Sequence, residues 1–252
     1  MCCGSKKMII DGSYVRATTL AMLRASKLNH TKRIIMNAAP SSRTRIRRIP
    51  ELAVYEREVL HGILDAGYLC HLAFQDENGP HCIPMAYWRI NDALYIHGSN
   101  GSRLMKHLSS GAEVSIAISH LDGLVLARSA FNHSMNYRSV VIYGKFVTVI
   151  EAEQKMAALD AFMDKLALGR KNEVRSGSRQ ELGATIVLKI TLDEAAAKVR
   201  SGGAEDDAKD MHIEAWAGVL PFQTLQAKPV PNEDCKVDAP LYVACWQDGK
   251  QG

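Results

Sequence analysis

The chain has 252 residues, a net charge of +4 and 47% hydrophobic residues, enough for one large domain or two small ones with a sizeable core. No run approaches the roughly 18 apolar residues of a membrane span, and the six cysteines and nine histidines show neither a Cys-x-x-Cys pair nor a zinc-ligand spacing, so reduced thiols are expected and a structural metal is not. The charge is uneven: residues 1–48 hold eleven Lys and Arg against Asp11 alone, a balance of +10, while the rest sets 20 Lys and Arg against 26 acids, a balance of −6. A mildly acidic body is not expected to bind nucleic acid.

The basic stretch 1–48 admits three readings. It is a disordered arm whose arginines in SSRTRIRRIP are solvated. It is an organelle presequence, being rich in Arg, Ser and Thr and poor in acid. Or it carries a lipid on Cys2 or Cys3 beside Lys6 and Lys7. A cytoplasmic location is expected under the first and a mitochondrial one under the second.

Order is expected from Pro50. Pro at a first helical position, Leu52, Tyr55, Val59 and Ile63 at helical spacing, and Gly67 beyond the end predict an amphipathic helix. Strands are predicted at Tyr68–Phe74, at His81–Ile90 and, after the Asn91–Asp92 turn, at Ala93–His97. Pro84 lies inside the second, where it cannot donate a ladder hydrogen bond; such a proline marks a bulge, a strand facing a ligand, or a simple edge.

A small-residue loop, Gly98-Ser99-Asn100-Gly101-Ser102, then opens a short helix, Ser102 to Ser110. The first amides of a helix lack internal partners, and Arg103 and Lys106 add two cations. The pattern suits an anion such as a phosphate, and equally an ordinary helix with Ser102 as its cap.

Beyond Gly111, strands are predicted at Ala112–Ser119 and Leu124–Arg128 around a turn at His120–Gly123. A polar segment, Ser129–Ser139, precedes the strand Val140–Ile150, where Gly144 marks a bend. A helix over Glu151–Leu168, a linker Gly169–Ser178 and a strand Ala184–Ile190 in the same sheet follow. KVRSGGAEDDAKD reads as an exposed acidic loop. Ile213–Phe222 is apolar enough to dock on the body, with Trp216 as an anchor, and the last thirty residues read as an extended strap.

IPMAYW (Ile83–Trp88), LYIHGSNGSRLMKHL (Leu94–Leu108) and LARSAFNHSMNYRSVVIYGKF (Leu126–Phe146) resemble the flavin-binding split barrels, which include the pyridoxamine phosphate oxidases and the nitroimidazole-resistance flavoproteins. The resemblance covers roughly residues 49–166 and extends weakly to Pro221. It implies a mainly β fold with peripheral helices, an antiparallel, Greek-key-like split β-barrel over 49–222, after the arm 1–48 and before the strap 223–252. It also implies a homodimer with FMN at the joint, serving an oxidoreductase.

By the same resemblance, Pro84, Met85, Ala86 and Tyr87 would line the flavin ring. His97, Gly98 and Ser99 would approach the ribityl or phosphate region, and Arg103 would meet the phosphate; Lys106 has no counterpart in the family, but three residues on it shares the helix face of Arg103 and would reach the same anion. Ser139 stands where the true oxidases have a glutamine contacting the flavin. The chain lacks their lysine next to Arg103, having Leu104, and an arginine-rich C-terminal end. Vitamin B6 synthesis is therefore not the favoured activity. The alternative is a non-catalytic flavin- or haem-binding module, with His71, His81, His97 or His133 as candidate haem ligands.

Overall fold

A computed structural model describes residues 39–248. The readings that fall on residues 1–38, including Cys2 and Cys3, lie outside the described residues. Residues 39–48 do not belong to a solvated arm. Thr44 is buried, its hydroxyl donating to the Ser41 carbonyl at 2.9 Å, and Tyr55 donates to the Thr44 carbonyl at 3.3 Å. Arg43 is bound by Glu194 and Glu113.

The elements run β1 (Ala53–Val54), α1 (Arg57–Asp65), β2 (Leu69–Asp76), β3 (Gly79–Ala86), β4 (Trp88–Ile90), β5 (Ala93–Ser99), α2 (Arg103–Ser109), β6 (Glu113–Leu126), β7 (Ser134–Lys145), β8 (Val147–Thr148), α3 (Ala152–Leu166), α4 (Arg179–Ala184), β9 (Thr185–Thr191), β10 (Ala195–Arg200), β11 (Gly218–Pro221) and α5 (Leu241–Ala244). All strand pairs are antiparallel. One sheet has the order β1-β10-β7-β6-β2-β3, with β11 added to β6; the other has the order β4-β5-β9-β8. Mainly antiparallel β structure with peripheral helices is the expected class.

The sheets meet because each strand alternates. Leu72, Ile116 and Ile142 from the larger sheet and Leu94, Ile96, Leu188 and Ile190 from the smaller bury together, closed by Leu60 and Leu64 of α1 and by Met105 and Leu108 of α2. A second cluster, Trp88, Val149, Ala158 and Val187 with Phe162 against it, holds α3 on the small sheet.

Several boundaries depart from the expectations for physical reasons. The first helix begins only at Arg57, because Ala53 and Val54 pair with Lys198 and Ala197. The strand expected over His81–Ile90 breaks at Tyr87, whose amide turns back to the Tyr68 carbonyl at 3.2 Å, so β3 and β4 enter different sheets. The turn expected at His120–Gly123 is a bulge inside the continuous β6, pinned by two 2.8 Å hydrogen bonds from Arg138 to Asp122. The polar segment after Ser129 is mostly strand β7. β9 belongs to the smaller sheet, and the start of KVRSGGAEDDAKD is the end of β10, an inner strand of the larger one.

Candidate functional site

α2 forms where expected. The Ser102 side chain accepts from the Met105 amide at 3.4 Å, as an N-cap serine does. The loop before it uses most of its own amides: Asn100 N donates to Ala184 O, Gly101 N to Ser99 Oγ and Ser102 N to Ser99 O. The amides of Arg103 and Leu104 are not used in those bonds. Beside them the Arg103 guanidinium is 66% exposed, and its Nη1 stands 3.4 Å from Asp76 Oδ2, a carboxylate only 4% exposed at the end of β2. His81 Nε2 holds the other Asp76 oxygen at 2.8 Å. The His81 bond, the Asn78 amide and the Arg103 charge hold the Asp76 carboxyl below its usual value. Lys106 is exposed on the same short helix.

This corner adjoins β3, the terminal strand of its sheet. One edge of β3 pairs with β2; the other leaves backbone groups unpaired, and Pro84 lacks a donor there. Alternation splits the predicted quartet. Pro84 is exposed and Ala86 half-buried on the outward face, whereas Met85 packs against the main core. Tyr87 is turned inside altogether: its hydroxyl donates to the Leu64 carbonyl at 2.6 Å, and burial raises its pKa above the ordinary phenol value.

His97 and Gly98 are likewise engaged internally. The His97 ring lies 5.6 Å from Trp88 and 4.9 Å from Phe162, centroid to centroid, in the cluster under α3. Burial lowers its pKa, and its Nδ1 has no hydrogen-bond partner, nor does Trp88 Nε1. Gly98 packs on Met105, where a Cβ would come within 2.7 Å of Cγ. Ser99 is exposed at the loop. So Ser99, Arg103 and Lys106 share one accessible corner, while the other predicted contacts do not converge on it.

Ser139 lies elsewhere. It lines a cavity of about 270 Å³ on the outward face of the larger sheet, with Arg43, Arg45, Tyr143 and Lys198. Its hydroxyl donates to the Lys198 carbonyl at 3.2 Å. The sequence concealed these cations because SSRTRIRRIP reads as solvated; the alternation Arg43-Thr44-Arg45-Ile46, charged and uncharged in turn, was the available signal. Trp216 is 64% exposed, its ring packed against Gly218.

The family model for pyridoxamine 5'-phosphate oxidase matches residues 56–199. The chain belongs to that family, and its two antiparallel sheets have the split-barrel type of fold. No curated protein matches the chain. Among solved structures it is similar to the flavocytochrome Anf3 from Azotobacter vinelandii, at 35% identity over 82% of this chain and 98% of that one, with a TM-score of 0.78. It is also similar to the FAD and haem binding protein from Mycobacterium smegmatis, at 33% identity over 78% of this chain and 97% of that one, with a TM-score of 0.74. A candidate 5-nitroimidazole antibiotic resistance protein from Bacteroides thetaiotaomicron, at 24% identity over 58% and 86% of the two chains and a TM-score of 0.50, shares the fold. Among the described residues no helix is long and apolar enough to cross a membrane.

Proposed function

We propose that the chain is a flavin-dependent oxidoreductase that holds FMN along the open edge of β3, with the phosphate at the start of α2. The observation that carries this reading is the corner itself: a free sheet edge ending beside Arg103, Lys106 and two unused amides. A guanidinium engages two phosphate oxygens at once, so Arg103 is the main contact and Lys106 the supporting charge. Family membership, a flavocytochrome and an FAD and haem binding protein support a flavin as the cofactor; FMN is this reading's own choice. Bound there, flavin supplies hydride and electron transfer. The chain's own residues bind and orient it; none is required as a nucleophile.

The reading includes a homodimer. Leu69, on the outward face of the larger sheet, is 61% exposed, and a second copy of the chain would cover it. A sedimentation profile showing a monomer that holds FMN tightly would contradict this part. The cofactor itself is tested by the absorption spectrum of the purified protein, followed by titration with FMN and with FAD. Flavin bands and a preference for FMN support the reading; a colourless protein that takes up neither overturns it.

A second reading, haem in addition to flavin, is favoured by the printed descriptions of both similar proteins, a flavocytochrome and an FAD and haem binding protein. A Soret band in the same spectrum tests it.

A further inference from the structure

Asp76 stands between the proposed phosphate contact and a histidine, and its two oxygens are served unequally. Oδ1 accepts from the Asn78 amide and from His81 Nε2, each at 2.8 Å. Near Oδ2 the cation is Arg103, with Nη1 at 3.4 Å. The Asp76 side chain is almost wholly shielded from water, whereas Arg103 is mostly exposed and has room to turn. Among the described residues Asp76 is ion-paired with His81 and Arg103 alone.

A carboxylate only accepts, so the hydrogen shared with Oδ1 belongs to His81 Nε2, and a neutral ring keeps Nδ1 able to take a proton. The His81 side chain is 24% exposed, enough for water to reach the ring. It stacks on Phe74 at 4.8 Å, and the His107 ring of α2 lies on Phe74 at 5.1 Å. Glu77, in the hairpin turn, accepts from the Asn78 side chain.

A phosphate at Arg103 changes this balance. A guanidinium that turns to a phosphate takes its charge away from Asp76, and the attraction between them falls with distance. Oδ2 is then a shielded anionic oxygen without its cation, an unfavourable state unless a neighbouring group supplies positive charge. His81 already bonds the same carboxylate and is of the residue type that titrates near neutral pH. We infer that His81 takes up a proton when a phosphate-bearing flavin draws Arg103 from Asp76, so that cofactor loading is coupled to pH. The His81 bond contributes most to holding the Asp76 carboxyl low, and the Arg103 charge adds to it; when one partner leaves, the carboxylate depends more on the other. The inference rests on the phosphate placement proposed above and adds its regulation. A complex that holds more protons than its separate parts forms more readily as pH falls.

The test is isothermal titration of the full-length, flavin-free protein with FMN and with riboflavin at about pH 7.5, where a phosphate monoester is mostly a dianion. Non-phosphate buffers of different ionisation enthalpy are compared, because the dependence of the heat on the buffer counts the protons exchanged. In the wild type FMN should bring uptake of roughly a few tenths of a proton, and riboflavin none. FMN affinity should rise about twofold to fourfold from about pH 8.5 to about pH 7. His81→Gln keeps a donor toward Oδ1 but takes no proton, so the uptake and the pH dependence should both vanish, with thermal melting to establish folding. Asp76→Asn, which removes the charge to be balanced, should abolish the uptake as well. Tight FMN binding by the wild type without proton uptake, equal uptake with riboflavin, or unchanged uptake in a folded His81→Gln overturns the inference and leaves the flavin reading standing. A wild type that binds neither flavin overturns both.

Discussion

Arg103 and Asp76 are joined at the turn end of the β2–β3 hairpin, Nη1 to Oδ2 at 3.4 Å, and the carboxylate is far more buried than the guanidinium it faces. The pair aims Arg103 at the edge of β3 and also competes with any anion that would bind there. Asp76→Asn keeps an acceptor for the Asn78 amide but removes the competing charge. It should tighten FMN about twofold to fivefold, as read by isothermal titration. Weaker binding in this variant would mean that the pair orients Arg103 more than it occupies it.

Gly98 fixes how closely α2 lies on β5. A side chain there meets Met105, which is fully buried, 2.7 Å away. Gly98→Val should lower stability by about 1–3 kcal/mol, the usual effect of overpacking, and displace the start of α2. Denaturant unfolding measures the first effect. FMN titration measures the second, and unchanged affinity would uncouple the helix from the site.

His97 gives a pH dependence. Charging it inside an aromatic cluster is unfavourable, so its pKa when folded lies below the ordinary 6.5. As pH falls, the unfolded chain takes up that proton first. The stability contribution is complete above about 6.5 and is lost as pH falls through 6.5 to the lowered folded value. His97→Phe removes that titration and the unpartnered Nδ1. The fall in melting temperature between about pH 7.5 and about pH 5.5 should be smaller in the variant than in the wild type. An equal fall would show that other groups control the acid limb.

The cysteines should differ in reactivity. Cys70 is fully buried, and burial raises its thiol to about 12, while Cys82 is exposed on β3. Thiolate is the reactive form. Alkylation of the folded protein, mapped by mass spectrometry, should label Cys82 and reach Cys70 only after denaturation.

The elements legible in the sequence were those whose signals are local. Ser102 before an apolar pattern announced α2, and the alternation in β2 and β5 announced their buried faces. What was hidden depends on distant partners. β10 begins with three alanines, which have little strand preference; their pairing with β7 and β1 makes the strand. Tyr87 was placed against the flavin ring by the family resemblance alone, but its amide bond to Tyr68 and its hydroxyl bond to Leu64 turn it inward. Within the site, Arg103 and Lys106 were readable from their place at a helix start. The role of Asp76 was not, since the hairpin that brings it there is formed by β2 and β3 together.

The most direct test of the account is a comparison of FMN and riboflavin binding to the wild type and to Arg103→Ala. Removing a charge-assisted contact to the phosphate should weaken FMN by about 1.5–3 kcal/mol, with Arg103→Lys recovering part of the loss because an ammonium lacks the planar fork. Riboflavin carries no phosphate, so its affinity should barely change. If Arg103→Ala weakens both ligands equally, or neither, the start of α2 is only a capped turn and the placement of the cofactor is contradicted.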